Sequence, residues 1–220
     1  LAAVGVNLAI TARRASALEQ TAQLARSHGV RVLALAGDIT DRNHVHTLVN
    51  STIDEFHSID LLINNAALHT QKRALTTLGA DKWDQVVAVN LTAPFDVARE
   101  VIPFMRKAGE GLVINIVSTA AFIRDRSQSG VAYGATKAGL AAFTQSIRSE
   151  EWEHGIRATA IFPGEIDTAM IGLRPDGTTP KRRCEILKPE DIATAVVFVA
   201  QMPARANVSE IVIEPTIERK

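Results

Sequence analysis

VRVLALAGDITDRNHVHTLVNSTIDEFHSIDLLI, residues 30–63, decides the fold. Residues 30–36 are β-branched and apolar almost throughout, the pattern of a strand buried on both faces. Past Gly37 the period changes. Val45, Leu48, Val49, Thr52, Ile53 and Phe56 recur at i, i+3, i+4 and i+7, one apolar helical face, with Thr40 or Asp41 placed to cap it. Residues 61–63 are apolar again, a short third strand. Strand, crossover helix and strand make the βαβ unit that joins parallel strands.

The same alternation runs outward in both directions. Strands are expected at 7–12, 113–117, 156–162 and 208–213, and helices at 16–28, 81–107, 130–153 and 189–201. Ser16 followed by Glu19 has capping-box spacing, and Pro189 suits a first helical turn. Residues 174–183, RPDGTTPKRR, form one polar insertion and read as a mobile loop. No repeat, heptad array or low-complexity tract interrupts the pattern. The expected architecture is a single α/β domain with a doubly wound parallel sheet covered by helices on both faces.

Composition narrows the function. The 220-residue chain is 46% hydrophobic and 22% charged, which excludes intrinsic disorder. Lys plus Arg (24) balance Asp plus Glu (24) without a basic block, so neither nucleic acid nor an anionic membrane is expected as a partner. The apolar runs are too short to span a bilayer, and a signal peptide is not expected at residues 1–10. Cys184, the lone cysteine, can form neither an internal disulfide nor a zinc site by itself. His44 and His46, two apart on a helix, do not share a face, and His28, His57, His69 and His154 lack ligand spacing; no metal is expected. The expected setting is cytoplasmic.

Open parallel sheets bind ligands at the carboxyl ends of their strands. The residues there are Arg13 and Arg14, then Asp38 and Ile39, then Asn64-Asn65-Ala66-Ala67, then Ser118, then Pro163-Gly164. Tyr133, the only tyrosine, stands four residues before Lys137, on the same face of the expected helix. A phenol with a pKa near ~10 is a poor acid–base group at neutral pH. A neighbouring ammonium favours the phenolate, and the pair then suits proton transfer to or from an alcohol oxygen. A half-buried tyrosine beside a solvated lysine would look the same in the sequence.

Asn64-Asn65-Ala66, Ser118, Tyr133-x-x-x-Lys137 and Pro163-Gly164-x-Ile166-x-Thr168, in this order, resemble the short-chain dehydrogenase/reductase family over essentially the whole chain. The resemblance implies a Rossmann-type fold, a nicotinamide cofactor and hydride transfer between a carbonyl and an alcohol. It implies Tyr133 as general acid/base, Lys137 on the nicotinamide ribose and tuning Tyr133, and Ser118 holding the substrate oxygen. Asn90 matches a fourth catalytic position, which anchors a water in a proton relay. Pro94 adds a physical reason, since it should leave the Asn90 carbonyl without its helical partner. The resemblance also implies Asp38 and Ile39 beside the adenine, Asn65 and Ala66 near the adenosine ribose, and Ile166 with Pro163, Gly164 and Thr168 near the nicotinamide. Arg13 and Arg14 stand where an acidic residue would select NAD. A guanidinium there accommodates a 2′-phosphate, so NADP (NADPH) is favoured over NAD, unless the pair is only a solvated helix start. Pairing into a homodimer or homotetramer through the helices at 81–107 and 130–153 is implied as well.

Three departures qualify the match. Ala67 replaces the more usual glycine, and the interval from Ser118 to Tyr133 is slightly long. The glycine-rich phosphate loop is absent: residues 1–5 resemble only the end of the helix that follows it. By comparison with the family, the first strand and Gly-rich turn, roughly twenty-five residues, are expected to be missing upstream. That strand would lie between those at 7–12 and 61–63, so the chain is expected to leave the sheet interrupted there. A non-catalytic relative that keeps the fold for binding or assembly is the alternative. A methyltransferase of similar fold would leave the four motifs unexplained.

Overall fold

The computed structural model describes residues 1–122, 129–173 and 179–217. Among these, strands and helices alternate in the order β1 (Leu8–Ala12), α1 (Ala15–Arg26), β2 (Val32–Ala36), α2 (Arg42–Phe56), β3 (Leu61–Asn64), α3 (Ala80–Val87), α4 (Ala93–Ala108), β4 (Gly111–Ile116), α5 (Val131–Glu151), β5 (Ile156–Pro163), α6 (Pro180–Glu185), α7 (Pro189–Ala200) and β6 (Glu210–Ile213). Each expected strand is present, shifted at its ends by up to two residues.

All ladders are parallel, as crossover helices require. They form two groups, β1–β2 and β3–β4–β5–β6, with β1 and β3 each paired on one side only. The expected interruption between these two strands is therefore present. Helices bridge it: Val45 and Val49 of α2 share one core with Val97, Val101 and Met105 of α4, Val113 of β4, Ile147 of α5 and Ile156 of β5. The neighbouring β4 residues Leu112 and Ile114 point the other way, onto Ile192, Val196 and Val199 of α7. Both faces of β4 are thus dry. Each large side chain buried there contributes about 1.5–3 kcal/mol.

Local chemistry explains the boundaries. Asp41 caps α2 by accepting from the Asn43 amide at 2.9 Å. Pro189 opens α7, and the Asp191 carboxylate accepts from the Lys188 amide at 2.7 Å. The Ser16–Glu19 capping box does not form. Helix α1 starts one residue before Ser16, with Arg14 at the cap position, and Glu19 pairs instead with Arg26 at 2.8 Å. The single helix expected over 81–107 is two helices joined by a π turn at Ala88–Thr92. Of the insertion at 174–183, residues 174–178 lie outside the described residues, and Lys181, Arg182 and Arg183 belong to α6 rather than a loop.

Candidate active site

The carboxyl end of β3 is anchored through its own polar groups. Asn64 Nδ2 donates to Asn115 Oδ1 at 2.8 Å across the β3–β4 ladder, and Asn115 Nδ2 donates to Thr144 Oγ1 of α5 at 2.8 Å. Asn115 is fully buried, so this chain of bonds satisfies groups that water cannot reach. It ties β3, β4 and α5 into one unit immediately below the site.

Asn90 holds the loop that follows. Its Oδ1 accepts from the Leu68 amide at 2.7 Å, and its Nδ2 donates to the Leu68 carbonyl at 3.0 Å and to Thr136 Oγ1 at 3.3 Å. The side chain is fully buried, and the π turn positions it. Proline at 94 cannot donate to the i−4 carbonyl. The chain widens by one residue here, and the Ala93 amide reaches Ala88 O across five residues.

Helix α5 begins at Gly130, whose φ of 77° suits glycine, and a Cβ there would lie 2.6 Å from Cβ of Arg73. That close approach seats the 70–73 loop on the start of α5, where Val131 N donates to Arg73 O at 3.1 Å. Lys137, one helical turn after Tyr133, is 2% exposed and donates from Nζ to the Ile116 carbonyl at 2.7 Å. Burial pulls its pKa down from 10.5 to about 8, which leaves the ammonium mostly charged at neutral pH. Nζ lies 5.8 Å from the centre of the Tyr133 ring. The imidazole of His69 stacks on the same ring at 4.5 Å between centres and 9° between planes. Ser118 follows β4. Its Oγ accepts from the Ala120 amide at 3.1 Å, which leaves the hydroxyl proton to donate elsewhere. Behind it, Phe122 stacks on Phe162 at 4.8 Å.

The other strand ends carry exposed groups. Arg13 and Arg14 are exposed after β1. Asp38, after β2, accepts from the Thr40 amide at 2.9 Å and the Thr40 hydroxyl at 2.8 Å. These bonds hold its carboxyl below the usual range, with smaller help from Arg13. Ile39 packs against the α2–α4 core, while Asn65 and Ala66 are exposed after β3. The groups suit a dinucleotide: guanidiniums for phosphate, an ionised acceptor, and an exposed amide. After β5, the Gly164 amide donates to Ile213 O at 2.7 Å, and Ile166 bridges to Leu187. Thr168 N donates to Ile166 O at 2.9 Å, closing the turn. Glu165 and Asp167, on either side of Ile166, hold α6 and the start of α7: Arg182 Nε and Arg183 of α6 lie 2.8 Å from Glu165 and 2.7 Å from Asp167, and Lys188, just before α7, lies 2.9 Å from Asp167.

The structure thus gathers Asn90, Tyr133 and Lys137 around the β3 and β4 ends. Sequence reasoning missed His69, set aside for lacking metal partners. It lies four residues past Asn65, and the strand-end rule that marked Asn64–Ala67 would have reached it two residues further on. The clasp on α6 was missed because Arg182 and Arg183 read as loop.

The short chain dehydrogenase model matches residues 1–177. The chain belongs to the short-chain dehydrogenase/reductase family. It is 30% identical over 211 residues to an uncharacterized oxidoreductase of Staphylococcus epidermidis, covering 96% of this chain and 87% of that one. Among solved structures it resembles an alcohol dehydrogenase from the archaeon Thermococcus sibiricus complexed with 5-hydroxy-NADP. The TM-score is 0.87 at 25% identity, covering 100% of this chain and 90% of that one. A metagenomic short-chain oxidoreductase in complex with NADP matches with a TM-score of 0.83 at 26% identity, covering 99% and 89%. This short-chain dehydrogenase/reductase is accordingly an NAD(P)-dependent enzyme on a Rossmann-type α/β fold.

Proposed function

We propose that this enzyme is an NADP-dependent oxidoreductase that interconverts a carbonyl and an alcohol, with Tyr133 as general acid/base. The observation that carries the reading is the buried Lys137 ammonium 5.8 Å from the Tyr133 ring. When bound, the dinucleotide supplies or accepts the hydride. In reduction, Tyr133 gives its phenolic proton to the substrate oxygen, and Lys137 favours the phenolate left behind. Ser118 donates a hydrogen bond to the same oxygen and holds it. Asn90 holds the Leu68 loop and Thr136 in place, and its backbone is the site of the water relay.

Arg13 and Arg14 meet the 2′-phosphate, Asp38 and Ile39 flank the adenine, and Asn65 and Ala66 border the adenosine ribose. Lys137 and Tyr133 contact the nicotinamide ribose, and Pro163, Gly164, Ile166 and Thr168 border the nicotinamide. The absence of an acidic residue beside Arg13 and the NADP-type ligands of the two similar structures support NADP. Phe95 on α4, 46% exposed beside Phe143 of α5, supports a homo-oligomer paired through these helices. The lone exposed thiol of Cys184 suits a reducing, cytoplasmic setting. The test is a panel of ketones, aldehydes and secondary alcohols with each reduced or oxidised cofactor, followed by reduced-nicotinamide absorbance. Turnover with NADPH well above that with NADH is expected. Equal turnover with both would refute the cofactor assignment.

A further inference from the structure

Tyr133 is held by a closed circuit of contacts that includes a residue outside the roles above. Asn90 bonds both to Leu68, the neighbour of His69, and to Thr136, one turn along α5 from Tyr133. Thr136 Oγ1 in turn donates to the Tyr133 carbonyl at 3.0 Å. The circuit closes through space, where the His69 ring lies parallel on the Tyr133 ring.

We propose that His69 is a positioning residue for Tyr133, its flat imidazole face fixing where the phenol hydroxyl stands. The proposal rests on the reading of Tyr133 as the acid/base group. The hydroxyl lies on the χ2 axis, so only rotation about χ1 displaces it. A parallel ring 4.5 Å away blocks that swing on one side. The imidazole is itself held. Its Nδ1 accepts from the Thr70 amide at 2.8 Å and stands 3.1 Å from the Thr70 carbonyl, to which it can donate once protonated. Either charge state therefore keeps the ring in place, and the role follows from the aromatic face. Among the described residues, the charged groups by Tyr133 are Lys137 on its own helix and Arg73 in the loop lining the same pocket.

Because Tyr133 is the only tyrosine, isotope-labelled tyrosine gives one set of ring signals in the full chain. In the wild type these signals should stand displaced from those of free tyrosine by the ring current of the stacked imidazole. His69→Phe should keep the displaced, stacked position, and His69→Ala should move the signals towards those of free tyrosine. Ring signals unchanged in His69→Ala would overturn the stack. With NADPH and the carbonyl compound selected by the panel above, His69→Ala should lower kcat roughly 10- to 100-fold with KM within about twofold. His69→Phe should recover most of the loss. A kcat within twofold of wild type in His69→Ala, or a His69→Phe as slow as His69→Ala, would overturn the positioning role. Should His69→Ala not fold, His69→Leu fills the volume without an aromatic face and takes its place. Full activity in Tyr133→Phe would instead sink the acid/base assignment, and the Tyr133 ring signals of the wild type and the His69 variants would still report on the stack.

Discussion

Replacing Lys137 with methionine keeps most of the stem and removes the charge, which isolates the energetics of the buried ammonium. Burial lowers its pKa from 10.5 to about 8 in the folded chain. At about 1.4 kcal/mol per pH unit, that difference corresponds to about 3 kcal/mol of folding free energy. The unfolded chain keeps the proton up to its ordinary pKa, whereas the native chain releases it near 8. Between these values the unfolded state binds more protons, so native stability rises with pH. Wild type should therefore gain about 3 kcal/mol relative to Lys137→Met between pH 7 and pH 10.5. At pH 7 the two should lie closer than that figure suggests, because methionine leaves the Ile116 carbonyl unpaired at a cost of about 1–3 kcal/mol. The slope is thus the cleaner quantity. Urea unfolding of both proteins without cofactor, at a series of pH values, measures it. Parallel curves across the range would refute the reasoning, because they would mean that the ammonium is solvated in the native chain.

Three further outcomes are expected. Arg13→Glu should weaken NADPH binding roughly 30- to 1000-fold more than NADH binding, through loss of a charge-assisted contact and added repulsion; equal losses in a fluorescence titration would remove Arg13 from the phosphate site. Asn90→Ala should destabilise the fold by about 2–4 kcal/mol, since the Leu68 amide loses its buried acceptor, and differential scanning calorimetry should show the midpoint falling by several degrees. Asp167→Ala removes the Arg183 and Lys188 ion pairs while leaving Arg182–Glu165, and should speed tryptic cleavage at Lys181 to Arg183 roughly 3- to 10-fold; an unchanged rate would show that the Asp167 pairs do not hold the helix.

The parts of the fold that depend on burial were legible from residue order. Apolar runs such as LLI at 61–63 and the helical i, i+3, i+4, i+7 spacing from Val45 to Phe56 have one dry solution each, and both elements stand where they were expected. Capping was legible where the side chain had no competitor. Asp41 had none, whereas Glu19 found Arg26 a turn and a half further on, and the box at Ser16 gave way. Pro94 signalled a disturbance but not its form: the π turn depends on where Asn90 must reach, namely Leu68 and Thr136, far away in sequence. The site followed the same division. Tyr133 and Lys137 are four residues apart and visible as a pair. His69 meets Tyr133 only through the packing of the loop after β3 on the start of α5, and no local spacing records a contact across sixty-four positions. The α6 clasp likewise joins residues after β5 to a stretch that looked like a polar loop, because its helix is stabilised by Glu165 and Asp167 rather than by its own periodicity.

The central claim is that Tyr133 moves the proton while hydride moves to or from the nicotinamide. Tyr133→Phe removes one oxygen and leaves the ring, the His69 stack and the helix in place. Its turnover with NADPH and the selected carbonyl compound, measured beside its NADPH affinity, tests the claim most directly. The expected result is a loss of at least about 100-fold in kcat with cofactor affinity within about threefold of wild type. Turnover equal to wild type would contradict it.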